Sequence, residues 1–335
     1  MSNRAVFLGS DDNGKRTQVY DSGFYEQMDG ILEFMAEPVN HKNIESFESE
    51  LRDVEIAFST WGVPRFTEEE IKRYLPKLRV LFYGAGSVQT FARPFMACGV
   101  TVVSAWAANA VPVAEYTAAQ IVLANKGFFQ SAAMCKSDHL TSRMLADQYP
   151  GNYGAKVGIL GAGMIGSMVI ERLQAYRISV EVFDPYLSEE RAAKLGVVKS
   201  ELVDLFANCH TISNHLANLP ATLGILNKEH FDRMMPYATF INTGRGAQVV
   251  EPDLIRALRE VPTRTALLDV TYPEPVRRDS ELLQLDNVIL TPHIAGSMSR
   301  EVARMGLYMA DECKRYLNGE ALKFNVTYDM LETMA

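Results

Sequence analysis

The chain has 335 residues, 47% apolar and 22% charged; this is the composition of an ordinary globular protein, and the length suits two domains because single cores rarely grow beyond ~250 residues. A formal net charge of -8 leaves no excess of Lys and Arg to neutralise a phosphate backbone, which argues against nucleic acid as a partner. The four cysteines, Cys98, Cys135, Cys209 and Cys313, are dispersed and form no CxxC pair, so no zinc site or disulfide framework is expected and a reduced cytoplasmic setting fits.

In chain order, the first apolar stretch stops after Leu8, short of the ~7 to 15 residues an export signal needs. Residues 5–8, 54–58, 80–82 and 100–103 have the β-rich apolar character of buried strands, and residues 67–75 predict a helix with a capping box from Thr67 and Glu70. The longest uncharged run, between Arg93 and Glu115, contains Gly99, Thr101, Ser104, Asn109 and Pro112, and so predicts strand, turn and helix start instead of a membrane span. A helical pattern runs from Val111 through Ala114, Thr117, Ala118 and Ile121, and the polar stretch 137–153 is expected to be irregular.

A second unit begins at Lys156, with strands expected at 157–160, 180–183, 211–213, 239–241, 266–270 and 288–290. Alternation of strands with helical segments implies an α/β architecture with parallel sheets, and six such strands make a full dinucleotide fold. Residues 299–317 form a further helix, expected to return to the first unit.

KVGILGAGMIG, residues 156–166, places Gly161, Gly163 and Gly166 after an apolar strand and at the start of an amphipathic helix carrying Ile165, Val169, Leu173 and Tyr176. By itself a GxGxxG is a common glycine turn; strand and helix on either side give it weight as a pyrophosphate site at a helix N-terminus. Asp184 ends the next strand, near the ~20-residue interval at which a carboxylate meets the adenosine ribose. Such a carboxylate would repel a 2′-phosphate, which favours NAD over NADP, with Arg191 near enough in sequence to weaken that preference. A residue at a strand end can equally cap the following turn.

Three consecutive strands each deliver an ionisable residue beyond their C-terminal ends: Arg245 in NTGRG, Glu274 in TYPEP and His293 in TPHIAG. That edge of an open parallel sheet is where ligands bind. Each residue alone has an ordinary alternative, a solvated loop arginine, a turn glutamate between prolines or a structural histidine; their shared location points to a catalytic set. A guanidinium can grip the carboxylate and carbonyl of a 2-keto acid, and an imidazole can give a proton to a developing alkoxide. Glu274 would then hydrogen-bond the imidazole and stabilise its charged form. His41, His139, His210, His215 and His230 form no metal-ligand pattern, and no HExxH or GxSxG is present.

These residues resemble the D-isomer-specific 2-hydroxyacid dehydrogenases, through NAVPVAE (109–115), GAGMIG with Asp184, HLANLPATLGIL (215–226), INTGRG (241–246), LDVTYPEP (268–275) and TPHIAG (291–296), in the family's order. The resemblance implies two Rossmann-like domains, a flavodoxin-like substrate domain of residues 1–104 and 292–335 and an inserted NAD-binding domain of residues 105–291. It implies Arg245 on the substrate, His293 as acid/base and Glu274 as its partner. The amides of Met164 and Ile165 would meet the pyrophosphate, His215 and Thr243 would lie along the cofactor, and Asp269 would lie near the nicotinamide carboxamide. The backbone of Ala85 and Gly86 would meet the substrate carboxylate, with Trp61 beside the substrate. It further implies a homodimer formed around Val111 to Lys126.

The chain departs from the family at Val88, where an Asp is frequent, and at Ala217, where HxP is usual. Trp61-Gly62 stands where phosphoglycerate dehydrogenases carry Arg-Ser, which removes an anchoring charge for a substrate phosphate, and a regulatory C-terminal domain is not expected. The expected reaction is hydride transfer between NADH and C2 of a small 2-keto acid, without nucleic acid, membrane or metal. An alternative from another class is an NAD(H)-sensing, corepressor-like protein of the same fold; formate dehydrogenases carry Gln where this chain has Glu274.

Overall fold

The computed structural model describes residues 3–9 and 14–333. The chain divides into two compact units, residues 1–110 with 297–335, and residues 111–296.

The first unit contains a parallel sheet of β1 (Asn3–Leu8), β2 (Leu32–Phe34), β3 (Ile56–Ser59), β4 (Val80–Tyr83) and β5 (Thr101–Ser104), in the order β2-β1-β3-β4-β5. Alternate residues of β1, β3, β4 and β5 enter opposite cores, as period-2 geometry requires of a sheet covered on both faces: Val6, Leu8, Ala57, Leu81 and Val102 on one side, Ala5, Phe7, Phe58, Phe82 and Val103 on the other. The expected return helix, Arg300–Leu317, lies in this unit and buries Val302, Met305, Met309, Ala310 and Cys313. It packs so closely that a Cβ on Gly306 would lie 2.0 Å from the Val19 carbonyl oxygen. The helix Glu68–Tyr74 carries the predicted Thr67–Glu70 capping box.

The second unit contains β6 (Lys156–Leu160), β7 (Ser179–Phe183), β8 (Val198–Lys199), β9 (Thr211–Asn214), β10 (Thr239–Asn242), β11 (Thr265–Leu268) and β12 (Val288–Leu290). Their order is β12-β11-β10-β9-β6-β7-β8, the doubly wound arrangement whose direction reverses between β6 and β9. Each sheet has one edge strand beyond those expected, β2 in the first and β8 in the second; β8 has two residues, both exposed, too short to show a period.

Three further differences are local. The helix expected from Val111 begins at Trp106 and runs to Ala124 with Pro112 inside it, although proline ordinarily marks a first turn. The stretch 137–153 contains the helix His139–Ala146, capped by Asp138, whose carboxylate accepts the Thr141 N–H at 3.0 Å. Its apolar residues point outward, Leu140 and Met144 being 71% and 63% exposed, so no core-facing stripe announces it. Residues 292–296, expected with the first unit, belong to the second, where the amides of Ile294 and Ala295 bind the Asp269 carboxylate, and residues 105–110, expected with the second unit, belong to the first.

Candidate active site

The glycine loop follows β6 at the point where the strand order reverses. Gly161 has a φ of 88°, and a Cβ there would lie 2.9 Å from the His215 carbonyl oxygen, while one on Gly166 would lie 2.0 Å from the Gly161 carbonyl oxygen. Any side chain at either position breaks the turn. Gly163 differs: a Cβ there meets nothing within 4 Å, so its absence opens space in front of the helix Met164–Leu173. That helix has Gly163 as its N-cap and no side chain capping it, leaving the amides of its first turn, Met164 and Ile165 included, available to an anion. These features fit a dinucleotide pyrophosphate.

Asp184 caps the following turn and also clamps the glycine loop. Its Oδ1 accepts the Tyr186 N–H at 2.8 Å, capping the turn after β7, and its Oδ2 accepts the Ala162 N–H at 2.8 Å, fixing the glycine loop. Arg191 does come round: its guanidinium donates to the Ala162 carbonyl at 2.6 Å and the Ser167 hydroxyl at 2.9 Å.

Arg245, Glu274 and His293 follow β10, β11 and β12 at one edge of the sheet. His293 Nδ1 and Glu274 Oε1 are 2.7 Å apart, which leaves Nε2 as the nitrogen able to exchange a proton with a ligand. Glu274 lies between two cis peptide bonds, Tyr272–Pro273 and Glu274–Pro275. The His293 backbone is left-handed, with a φ of 54°, and is held there from beneath. Its N–H donates to the Asp269 carbonyl at 3.0 Å, while the buried Asp269 carboxylate accepts from Ile294 N–H, Ala295 N–H and the Thr291 hydroxyl at 2.8, 3.0 and 2.6 Å. Asp269 is thus occupied in shaping the histidine loop.

Burial lowers the pKa of the Arg245 guanidinium, and the charge of Glu274 opposes that shift; arginine stays charged regardless. Of its flanking glycines, Gly246 is required by packing and Gly244 is tightly packed. A Cβ on Gly246 would lie 2.0 Å from the Thr271 carbonyl carbon, and one on Gly244 would lie 3.1 Å from both Asn214 Nδ2 and Gln248 Oε1.

The remaining expected residues fall as follows. Thr243 is buried, its hydroxyl 3.2 Å from that of Thr117. His215 places Nε2 2.9 Å from the Ser213 hydroxyl, and burial lowers its pKa to about 3, so it stays neutral. In the first unit, the Ser104 hydroxyl lies 2.9 and 2.6 Å from the carbonyls of Ala85 and Gly86. The Ala85 N–H donates to the Tyr83 carbonyl at 2.9 Å. Trp61 is part exposed, with Lys15 Nζ 5.7 Å from its ring centre. Val88 is wholly buried in the first unit's core, so the departure there is a packing choice.

Sequence reasoning missed two groups. Tyr20 donates its hydroxyl proton to the Ser59 carbonyl at 2.6 Å and accepts the Gly84 N–H at 3.0 Å, tying the ends of β3 and β4 together. Asn214, Asn242 and Gln248 form a buried carboxamide cluster beneath the Arg245 loop. Neither lies in a pattern that marks it: Gln248 stands among Ala247, Val249 and Val250.

Residues 118–295 match the family model described as the NAD binding domain of D-isomer specific 2-hydroxyacid dehydrogenase. The D-3-phosphoglycerate dehydrogenase of Mycobacterium leprae is 32% identical over 265 residues, covering 78% of this chain and 49% of that protein. That of Methanocaldococcus jannaschii is 34% identical over 228 residues, covering 66% of this chain and 42% of that protein. The chain spans about half the length, or less, of these curated relatives. Among solved structures, the apo form of Rhodotorula graminis D-mandelate dehydrogenase aligns with a TM-score of 0.80 at 19% identity, covering 98% of each chain. A glyoxylate reductase from Paecilomyes thermophila aligns with a TM-score of 0.74 at 20% identity, covering 98% of this chain and 99% of that one. These likenesses show a shared two-domain α/β fold. The family model covers more than half of the sequence and identifies an NAD(H) site; the chain belongs to the D-isomer specific 2-hydroxyacid dehydrogenase family.

Proposed function

We propose that this protein transfers a hydride reversibly between NADH and C2 of a small 2-keto acid, giving the D-2-hydroxy acid. The observation that carries the proposal is the 2.7 Å contact between His293 Nδ1 and Glu274 Oε1 on the loop edge that also bears Arg245. When bound, NADH supplies the hydride. Arg245 grips the substrate carboxylate and carbonyl and polarises the carbonyl toward attack. His293 Nε2 donates a proton to the oxygen as negative charge builds there, and Glu274 stabilises the imidazolium that the reverse reaction forms. Gly161, Gly163, Met164, Ile165 and Gly166 hold the pyrophosphate, Asp184 the adenosine ribose, and Thr243, His215 and Asp269 line the remaining cofactor path. In the first unit, Trp61 and the backbone at Gly86 are the proposed substrate contacts; the Ala85 amide, expected there, is not one of them because it donates to the Tyr83 carbonyl.

Trp61-Gly62 supplies no charge for a substrate phosphate, so the proposed substrates are unphosphorylated, although the curated relatives above are named for 3-phosphoglycerate. The test follows NADH absorbance with glyoxylate, hydroxypyruvate, pyruvate, longer 2-keto acids and 3-phosphohydroxypyruvate. Turnover restricted to the phosphorylated acid would overturn the substrate class. Tight NADH binding without any turnover would favour the NAD(H)-sensing reading.

The protein is further proposed to act as a homodimer through the region of Val111 to Lys126. Leu123 on that helix and Phe128 just beyond it are 38% and 48% exposed, an apolar exposure that a second copy would cover. Sedimentation analysis tests this, and a monomer at micromolar concentration would refute it.

A further inference from the structure

Arg245 can read a carboxylate only if its backbone is fixed before the ligand arrives, and the structure contains a device suited to that task. Asn214, Asn242 and Gln248 are 0%, 1% and 0% exposed. Three carboxamides so deeply buried are costly unless their polar atoms are paired. Here each side-chain nitrogen and oxygen has a partner. Gln248 Nε2 donates to the carbonyls of Leu216 and Ala217, both at 2.9 Å, and its Oε1 accepts from Asn214 Nδ2 at 2.7 Å. Asn214 Nδ2 also donates to Asn242 Oδ1 at 3.0 Å, and Asn214 Oδ1 accepts the Leu216 N–H at 3.2 Å.

The cluster grips Arg245 on both sides of its Cα. The Arg245 N–H donates to Gln248 Oε1 at 3.3 Å, and the Arg245 carbonyl accepts from Asn242 Nδ2 at 3.2 Å. The Gly244 N–H donates to Asn242 Oδ1 at 3.1 Å. The same Gln248 amide that receives the arginine loop holds the 216–217 carbonyls, on the loop whose His215 carbonyl abuts Gly161.

We propose that Gln248, backed by Asn214 and Asn242, is a positioning residue that locks the Arg245 loop to the loop of residues 215–217, setting the direction of the guanidinium in advance of substrate. It touches neither substrate nor cofactor and acts through Arg245; the proposal therefore rests on the reading of Arg245 given above. A fully satisfied polar network specifies one arrangement where apolar packing would tolerate several, and orientation fixed in advance lowers the cost of binding.

The experiment measures kcat, KM and NADH affinity for Gln248→Met, which keeps length and loses the hydrogen bonds, using whichever of glyoxylate, hydroxypyruvate and pyruvate the wild type turns over best. The expected result is a KM for the keto acid raised tenfold or more, with NADH affinity and the pH profile of kcat kept. A merely structural role would reduce the active fraction and hence kcat, at unchanged KM; that outcome in a folded variant overturns the proposal. Gln248→Glu covers the case in which the methionine variant does not fold. Protonated, its carboxyl still accepts from Asn214 and donates to a loop carbonyl, so its KM is expected near wild type at low pH and to climb as the group ionises. A pH-independent KM in that variant also overturns the proposal. Arg245→Lys is run alongside. If it leaves KM unchanged, the reading of Arg245 fails and this inference falls with it; if it raises KM and Gln248→Met does not, the inference alone fails.

Discussion

Both units are parallel sheets, yet their loop edges are built from different chemistry. In the first unit the strand ends are stitched by hydroxyls: Ser59 to the Leu8 carbonyl, Thr60 to the Gly84 carbonyl, Ser104 to the carbonyls of Ala85 and Gly86, and Tyr20 across β3 and β4. In the second, the stitching is by carboxamides and a carboxylate, Asn214, Asn242, Gln248 and Asp269, and the loops so held carry Arg245 and His293. A hydroxyl anchors one or two backbone groups, whereas a carboxamide or carboxylate gathers three or four. The first edge therefore presents fixed backbone, and the second presents fixed ionisable side chains.

The largest effect expected on this contrast is at His293. His293→Ala should lower turnover by ~10²-fold or more, the usual cost of losing a general acid, while NADH affinity, read by fluorescence titration, stays near wild type because the glycine loop lies elsewhere on the edge. Wild-type turnover in the variant would remove the chemical role from the second edge. A smaller effect is expected at Asp184. Asp184→Ala should raise the NADPH to NADH preference ratio by about tenfold, a ~1.4 kcal/mol change, by removing one charge that repels a 2′-phosphate. Because the same carboxylate holds the Ala162 amide, absolute affinity for both cofactors should fall as well; an unmoved ratio would leave Asp184 as a loop clamp alone.

How much of this was legible in the sequence depended on whether a residue announces itself by period or by position. The strands alternate with helical segments and were readable within a residue or two, except β2 and β8, the short edge strand of each sheet. Arg245, Glu274 and His293 were readable because each follows a strand, and the 2.7 Å contact between His293 and Glu274 joins two residues whose separation in sequence hides their proximity. What stayed hidden was the support. Gln248 is a polar residue in an apolar run, Asn214 ends a strand, and Tyr20 lies beyond a short helix; their roles arise from tertiary pairing that no local pattern encodes. The helix His139–Ala146 was hidden for the opposite reason, its apolar residues facing outward.

Acid tests the second edge in another way. Burial depresses the pKa of His215 from 6.5 to about 3, and depresses those of His210 and His230 as well. Below pH ~6.5 the unfolded chain binds protons at these sites that the folded chain refuses, so stability falls as pH drops through the window from 6.5 toward 3. His215→Gln should flatten that fall in denaturant titrations between pH 4 and 7 without abolishing it, the other two histidines remaining. A slope identical to wild type would mean that His215 becomes protonated without unfolding the protein.

The smallest expected effect falls on the first edge and asks whether its hydroxyls only anchor. Tyr20 is 1% exposed, and burial pushes its pKa far above the usual phenol value, so it works as a neutral donor and acceptor throughout the working pH range. Tyr20→Phe keeps the ring among Phe7, Phe24 and Phe58 and removes the hydroxyl's bonds, while the Gly84 N–H and the Ser59 carbonyl stay paired with each other at 2.8 Å. The cost is ~0.5 to 1.5 kcal/mol, the net worth of a hydrogen bond whose backbone partners stay paired, a loss of a few degrees in Tm. Gly84 immediately precedes Ala85 and Gly86, so relaxation there should raise KM for the keto acid a few-fold and leave kcat and its pH profile unaltered. A change in the pH profile instead would show that the first edge takes part in proton transfer, and the division of labour between the two sheets would have to be given up.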